Sequence, residues 1–284
     1  MSVIVETLDG FASAHLENRR SLSVVLPPGY RSAGHHATCK TLYLNDGQDL
    51  DALRLVGTLT RLYAQDEIAP LIVVAVPTNA DRLQEYGIAH TPDYRHRGSR
   101  AGAFTRFILH EVMPAVQAQY RVSTRPEDTA YLGASLGGLS AFDIVWNHPD
   151  RFGRAGVFSG SFWWRSRSAS VEEMQTSRIA HAMVRSTPMT PERRALKFWF
   201  QAGTEDEKDD RDKNGVIDAI QDTTELMDAL ETRGYRHGSD MTYLEVAGGQ
   251  HHPSTWASVM QVFLRWAFGA PEAVGSAAAL PPRP

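Results

Sequence analysis

The run Gly133-Ala134-Ser135-Leu136-Gly137-Gly138 sets a serine between two glycines, G-x-S-x-G, at a change of hydrophobic rhythm. Residues 129–132 before it are a short apolar run of strand character. Residues 136–148 after it repeat apolar side chains at helical spacing. In a tight strand-to-helix turn the serine takes strained backbone angles, so its neighbours must lack bulk and its hydroxyl stands clear as a nucleophile. The Leu136 amide then opens the following helix, where the positive end of the helix dipole can hold an oxyanion.

A serine nucleophile needs a base and an acid, and on a strand–turn–helix scaffold the order is serine, then acid, then histidine. Residues 241–246 alternate like a strand and lead into Gly248-Gly249-Gln250-His251-His252-Pro253. His251 is preferred as general base, because Pro253 restricts His252 to extended angles. The strand-like residues 196–202 lead into Gly203-Thr204-Glu205-Asp206-Glu207. Three adjacent carboxylates can orient the imidazole; Asp206 ranks first, Glu205 second and Glu207 third. A second oxyanion donor belongs after an early strand. Residues 41–44 followed by Asn45-Asp46-Gly47-Gln48 supply one, with the Gln48 amide as the candidate.

Other residues invite substrate or metal roles. Trp163 and Trp164 follow the strand at 154–158 and either line an acyl or aryl pocket or pack under a cap. Arg82, Glu85 and Tyr86 follow the strand at 70–76; an Arg82–Glu85 ion pair is expected, with Arg82 also a candidate substrate contact. Arg95, Arg97 and Arg100 form a basic stretch that could meet an anionic substrate. Asp210, Asp212, Asn214, Val216 and Asp218 fit the opening of a calcium loop around Gly215, although the twelfth position is Gln221 rather than an acid. No cofactor is expected in the chemistry itself, and Ca²⁺ is entertained as a structural ion.

These residues need a scaffold. Strand-like runs at 22–26, 41–44, 70–76, 129–132, 154–158, 196–202 and 241–246 alternate with helical patterns at 50–63, 103–120, 136–148, 223–233 and 254–268. That alternation argues an α/β fold: a mostly parallel sheet with helices on both faces and catalytic loops at the carboxyl ends of the strands. Asp46, Ser135, Asp206 and His251 each fall just after a strand. Residues 165–194 are polar and less regular and read as a small cap or lid. Residues 1–269 form one domain, and 270–284, rich in Ala and Pro, read as a disordered tail.

The chain has 284 residues, 42% hydrophobic, enough for one sizeable core. Its net charge of −4, from 29 Lys+Arg against 33 Asp+Glu, points to neither nucleic acid nor a membrane surface as a partner. The single cysteine, Cys39, excludes an internal disulfide. With no basic-then-apolar leader at the start, a cytoplasmic location is expected.

Taken together, 24–30 (VVLPPGY), 42–48 (LYLNDGQ), Gly133 to Gly138, 159–164 (SGSFWW) and Gly248-Gly249-Gln250-His251 followed by Trp256 resemble the esterase family that includes esterase D, enterochelin-type esterases, feruloyl esterases and the mycolyltransferases. The resemblance covers residues 1–269. It implies an α/β-hydrolase fold, Ser135 as nucleophile, His251 as base, and an acid three residues after Gly203, which is Asp206. Family members often carry proline where this chain has Gly160, a departure that touches the pocket wall. The expected activity is hydrolysis of a small-molecule carboxylic ester, siderophore-type esters included. Acyl transfer through the same intermediate and non-catalytic binding on the same fold are the rivals.

Overall fold

The computed structural model describes residues 3–32 and 37–270; the segment read as a tail lies, apart from Ala270, outside them. Strands β1 (Ile4–Ser13), β2 (Asn18–Leu26) and β3 (Lys40–Asn45) come first, followed by α1 (Leu55–Ala64), β4 (Leu71–Val76), α2 (Arg82–Glu85), α3 (Ala101–Phe107) and α4 (Met113–Gln119). The second half runs β5 (Thr129–Ala134), α5 (Leu136–Asn147), β6 (Arg154–Phe158), α6 (Val171–Thr176), α7 (Ile179–Ser186), α8 (Pro191–Arg194), β7 (Lys197–Glu205), α9 (Asp218–Glu231), β8 (Met241–Gln250) and α10 (Pro253–Phe268).

The strands form one eight-stranded sheet in the order β1-β2-β4-β3-β5-β6-β7-β8. β1/β2 and β2/β4 are antiparallel, and every pair from β4/β3 onward is parallel. This is the α/β-hydrolase fold, and it meets the expectation of a mostly parallel sheet covered on both faces. The strand pattern sorts the core into two layers. Leu42 and Leu44 of β3 face α1 and α10, while Tyr43 between them faces the layer of α3, α4, α5, α7 and α9. Parallel crossovers reverse direction between β3 and β5, since β4 lies on one side of β3 and β5 on the other. The carboxyl end of that junction is where open α/β sheets bind ligands.

Four elements differ from their sequence expectation. β1 is an additional edge strand, mostly exposed, whose apolar residues Ile4, Val5, Leu8, Phe11 and Ala12 do not alternate, its register shifting between Leu8 and Phe11. The helix expected over 50–63 begins only at Leu55, because Arg54 takes a left-handed φ of 51° and breaks the turn. The helix expected over 103–120 is split by a π turn at Ile108–Val112. Pro114 follows at once and has no N–H to bond the His110 carbonyl, so the widened turn absorbs the missing bond. The helix expected from 223 begins at Asp218.

Residues 165–194 hold α6, α7 and α8 rather than an irregular lid. Ile179, Ala180 and Val184 join the core, and Arg178 reaches Asp222 and Glu225 on α9. None of their residues lines the cavity at Ser135. Among the described residues no helix is long and apolar enough to cross a membrane.

Candidate active site

Ser135 sits between the end of β5 and the start of α5 with φ 57° and ψ −127°, a conformation that side-chain-bearing residues avoid. Hydrogen bonds hold it there: its N–H donates to the Phe158 carbonyl at 2.9 Å, and its carbonyl accepts from Gly138 at 3.0 Å and Ser161 at 3.2 Å. The glycines are sterically compelled. A Cβ on Gly133 would lie 2.1 Å from the Gly137 carbonyl oxygen, and one on Gly137 would lie 2.8 Å from Asp46 Oδ2. The Ser135 hydroxyl is 3.4 Å from that of Ser161, a buried residue.

The turn after β3 is the second wall. Asp46 has φ 55° and opens a short 3₁₀ turn, Gly47–Asp49, that carries the Gln48 amide. Arg82 clamps Asp46 through both carboxylate oxygens, at 2.7 and 2.8 Å. The Asp46 N–H donates to Tyr86 Oη at 2.9 Å, and the Gln48 side chain donates to Asp46 Oδ1 at 3.2 Å. Asn45 donates to the Gly137 carbonyl at 2.8 Å and accepts from Tyr131 Oη at 2.9 Å, locking this turn to the serine turn. The expected Arg82–Glu85 ion pair is therefore corrected. Glu85 is fully buried and bound by Arg20 instead, at 2.8 and 3.0 Å. Tyr86 is marked in the sequence only by its place after the strand at 70–76, and Arg20 carries no motif, so its hold on Glu85 was not readable beforehand.

His251 stands at the end of β8, with Trp256 of α10 packed edge-on against its ring at a centroid distance of 5.4 Å. The Trp256 indole N–H donates to Ser159 Oγ at 2.9 Å, which fixes that wall. The protein packed around the imidazole pushes its pKa below the usual range; Asp206 pulls it up in part, and Arg82 lowers it further. No hydrogen bond joins Ser135 to His251, or His251 to Asp206, among the described residues. Asp206 Oδ2 accepts from the Gly203 N–H at 3.0 Å, while Oδ1 is buried without a partner. Its two neighbours point elsewhere. Glu205 meets Gln250 at 3.4 Å. Glu207 is raised to about 7 by burial, with the acids Asp218, Asp209 and Asp222 adding to the rise and a hydrogen bond from the Ala219 backbone opposing it.

Ser135, His251, Gln48 and Arg82 line one cavity of about 290 Å³, whose apolar walls include Leu44, Leu132, Phe158, Trp256 and Met260. Neither expected tryptophan is among its lining residues. Trp164 is fully buried against Gly87 and Gly98, so the packing alternative holds for it. Trp163 is half-buried with Arg97 over its ring at 4.9 Å. Arg97 is in turn paired with Asp93, and Arg100 with Asp81.

The calcium expectation does not fit the geometry. Asp210 accepts the Asn214 and Gly215 amides, Asn214 accepts the Val216 amide, and Asp212 accepts from Gln175 and Gln221. Asp218 is bound by Arg211, whose guanidinium also reaches Asp222, so an arginine is the cation of this loop. Among the described residues no group of three or more His, Cys, Asp or Glu side chains is arranged to hold a metal.

The α/β-hydrolase fold with a serine at a strained strand–helix turn defines the class. Residues 13–267 match the family described as Putative esterase, and the chain belongs to that family. It is 23% identical over 270 residues to the uncharacterized protein YbbA of Bacillus subtilis (strain 168), covering 92% of this chain and 98% of the relative. It is 34% identical to the iron(III) enterobactin esterase of Escherichia coli (strain K12), over 90 residues that cover 31% of this chain and 22% of the relative. The enterochelin esterase structure from Shigella flexneri superposes with a TM-score of 0.70 at 20% identity, over 94% of this chain and 58% of that one. A ferulic acid esterase superposes with a TM-score of 0.69 at 17% identity, over 94% and 99%. The chain thus spans less than two thirds of the enterochelin esterase, and at these identities the structures speak to fold alone.

Proposed function

We propose that this chain is a serine carboxylic-ester hydrolase. The observation that carries the reading is Asp206 Oδ1, a buried acceptor with no partner, on the carboxylate whose charge acts on His251. Buried polar atoms are normally satisfied, so an orphan beside an imidazole reads as the acceptor for its N–H. Ser135 Oγ attacks the ester carbonyl and gives its proton to His251, while Asp206 holds the imidazole's tautomer and stabilises the imidazolium. The Gln48 and Leu136 amides receive the oxyanion. The C–O bond to the alcohol breaks as His251 returns the proton to it; water then attacks the acyl-enzyme by the same route and frees Ser135. Catalytic hydrogen bonds are commonly long before substrate binds and tighten in the complex.

The cavity's apolar walls beside Arg82 suit a small apolar or aromatic acyl group. The names of the enterobactin and ferulic acid esterases among the similar proteins support aryl and siderophore-type esters as the first classes to assay. The test of the nucleophile is a fluorophosphonate probe. The unmodified protein is expected to be labelled and Ser135→Ala is not; equal labelling of both overturns the assignment. A panel of acyl and aryl esters of graded size, read as kcat/KM, then ranks substrates.

A further inference from the structure

A second cleft, of about 660 Å³, opens in the layer of α3, α5 and α7 and shares no lining residue with the cavity at Ser135. Its size lies within the range of small-molecule sites. His90, Arg106, His110 and His148 line it, and no lining residue is acidic. Leu109, Ile179 and Met183 supply an apolar wall.

Several arginines elsewhere in the chain are held by carboxylates, among them Arg20 by Glu85, Arg82 by Asp46 and Arg178 by Asp222. Arg106, which is exposed, has no ion pair and no side-chain hydrogen bond among the described residues. Acids beside the lining residues are otherwise engaged. Glu111 accepts from Ser13 and the Ala14 amide, Asp150 meets Arg151, and the buried Asp143 accepts from the Ala89 amide and Asn147. The cleft also depends on two backbone irregularities. His90 has φ 64°, and its ring lies so close over Gly102 that a Cβ there would come within 2.9 Å. The π turn at Ile108–Val112 contributes Leu109 and His110 to the lining; such turns recur at functional sites.

We infer that this cleft is a second ligand site, taking a small amphipathic anion whose charged group meets Arg106 and the imidazoles and whose apolar body lies on Leu109, Ile179 and Met183. The site is independent of the serine chemistry.

The probe is 8-anilinonaphthalene-1-sulfonate, titrated by fluorescence into protein whose Ser135 is already blocked by a fluorophosphonate. Arg106→Gln removes the charge and Ala182→Trp fills the cleft; both positions are exposed on helices, so the fold tolerates either change. Each substitution is expected to weaken binding at least about tenfold, the scale of a lost charged hydrogen bond or lost apolar burial. N-phenyl-1-naphthylamine, the same body without the sulfonate, is expected to bind at least about tenfold more weakly. Binding unchanged in Ala182→Trp overturns the location. Binding unchanged in Arg106→Gln, or equal affinity for the neutral analogue, overturns the anion.

Discussion

Arg82 grips Asp46 with two parallel hydrogen bonds, Nε to Oδ1 at 2.7 Å and Nη2 to Oδ2 at 2.8 Å, and so ties the loop after β4 to the turn after β3. A bidentate guanidinium–carboxylate pair adds direction as well as strength. Arg82 also bears on His251, because its charge disfavours that imidazolium.

Arg82→Gln is therefore expected to act twice. Losing the positive charge raises the His251 pKa, and since the base must be neutral, the acid limb of kcat/KM moves to higher pH. Loosening the Asp46 turn misplaces the Gln48 amide and lowers kcat/KM by roughly 10–100-fold. A pH–rate profile reads both effects, and an unmoved limb would sever the link between Arg82 and His251.

Gly133 and Gly137 differ in what a methyl group would strike. On Gly133 it meets the Gly137 main-chain carbonyl at 2.1 Å, which cannot yield; on Gly137 it meets the Asp46 side chain at 2.8 Å. Gly133→Ala is expected to cost more than about 4 kcal/mol or to prevent folding, and Gly137→Ala to cost less. Thermal or urea melts check the ranking.

Asp206→Asn separates three neighbouring acids. If Asp206 orients His251, its amide variant drops kcat by about 10⁴, as in the Ser-His-Asp template, while Glu205→Gln stays near the parent rate. Removing the charge that raises the His251 pKa should also move the acid limb to lower pH, opposite to Arg82→Gln. The reverse ranking of the two variants would shift the role to Glu205.

Asp143, fully buried in α5, has its carboxyl raised to about 7 by burial, opposed by the Ala89 amide and Asn147. Its folded pKa lies above the unfolded value near 3.8, so the protonated form favours folding, and that contribution is lost as pH rises from about 4 to about 7. Asp143→Asn cannot ionise. The difference in Tm between the parent and this variant should move against the parent across that interval; a constant difference would show that Asp143 does not titrate there.

Much of the site is local in sequence. Gly133, Ser135 and Gly137 announce the serine turn because a strand, a tight turn and a helix are each encoded within a few residues of one another. His251 after Gly248-Gly249, and an acid after Gly203, follow from the same strand-end logic, and the parallel sheet follows from apolar runs alternating with helical spacing. β1 was silent because a register shift between Leu8 and Phe11 breaks the alternation that marks a strand, and Arg54 and the π turn before Pro114 divided helices whose apolar spacing looked continuous.

What tertiary structure alone decided are the pairings across long separations. Glu205, Asp206 and Glu207 are adjacent carboxylates, and the folded chain sorts them: Glu205 meets Gln250, Asp206 is buried and accepts from the Gly203 amide, and the Asp206 charge acts on His251. Arg82 lies three residues from Glu85 yet pairs with Asp46, because Arg20 from β2 reaches Glu85 first within the buried wall. The calcium-like loop has oxygens at its opening positions but Gln221 at the twelfth, and its helix brings Asp218 and Asp222 to Arg211. Residue spacing encodes backbone rhythm, whereas the partner of a charged side chain is set by which chains the packed sheet brings within hydrogen-bond reach.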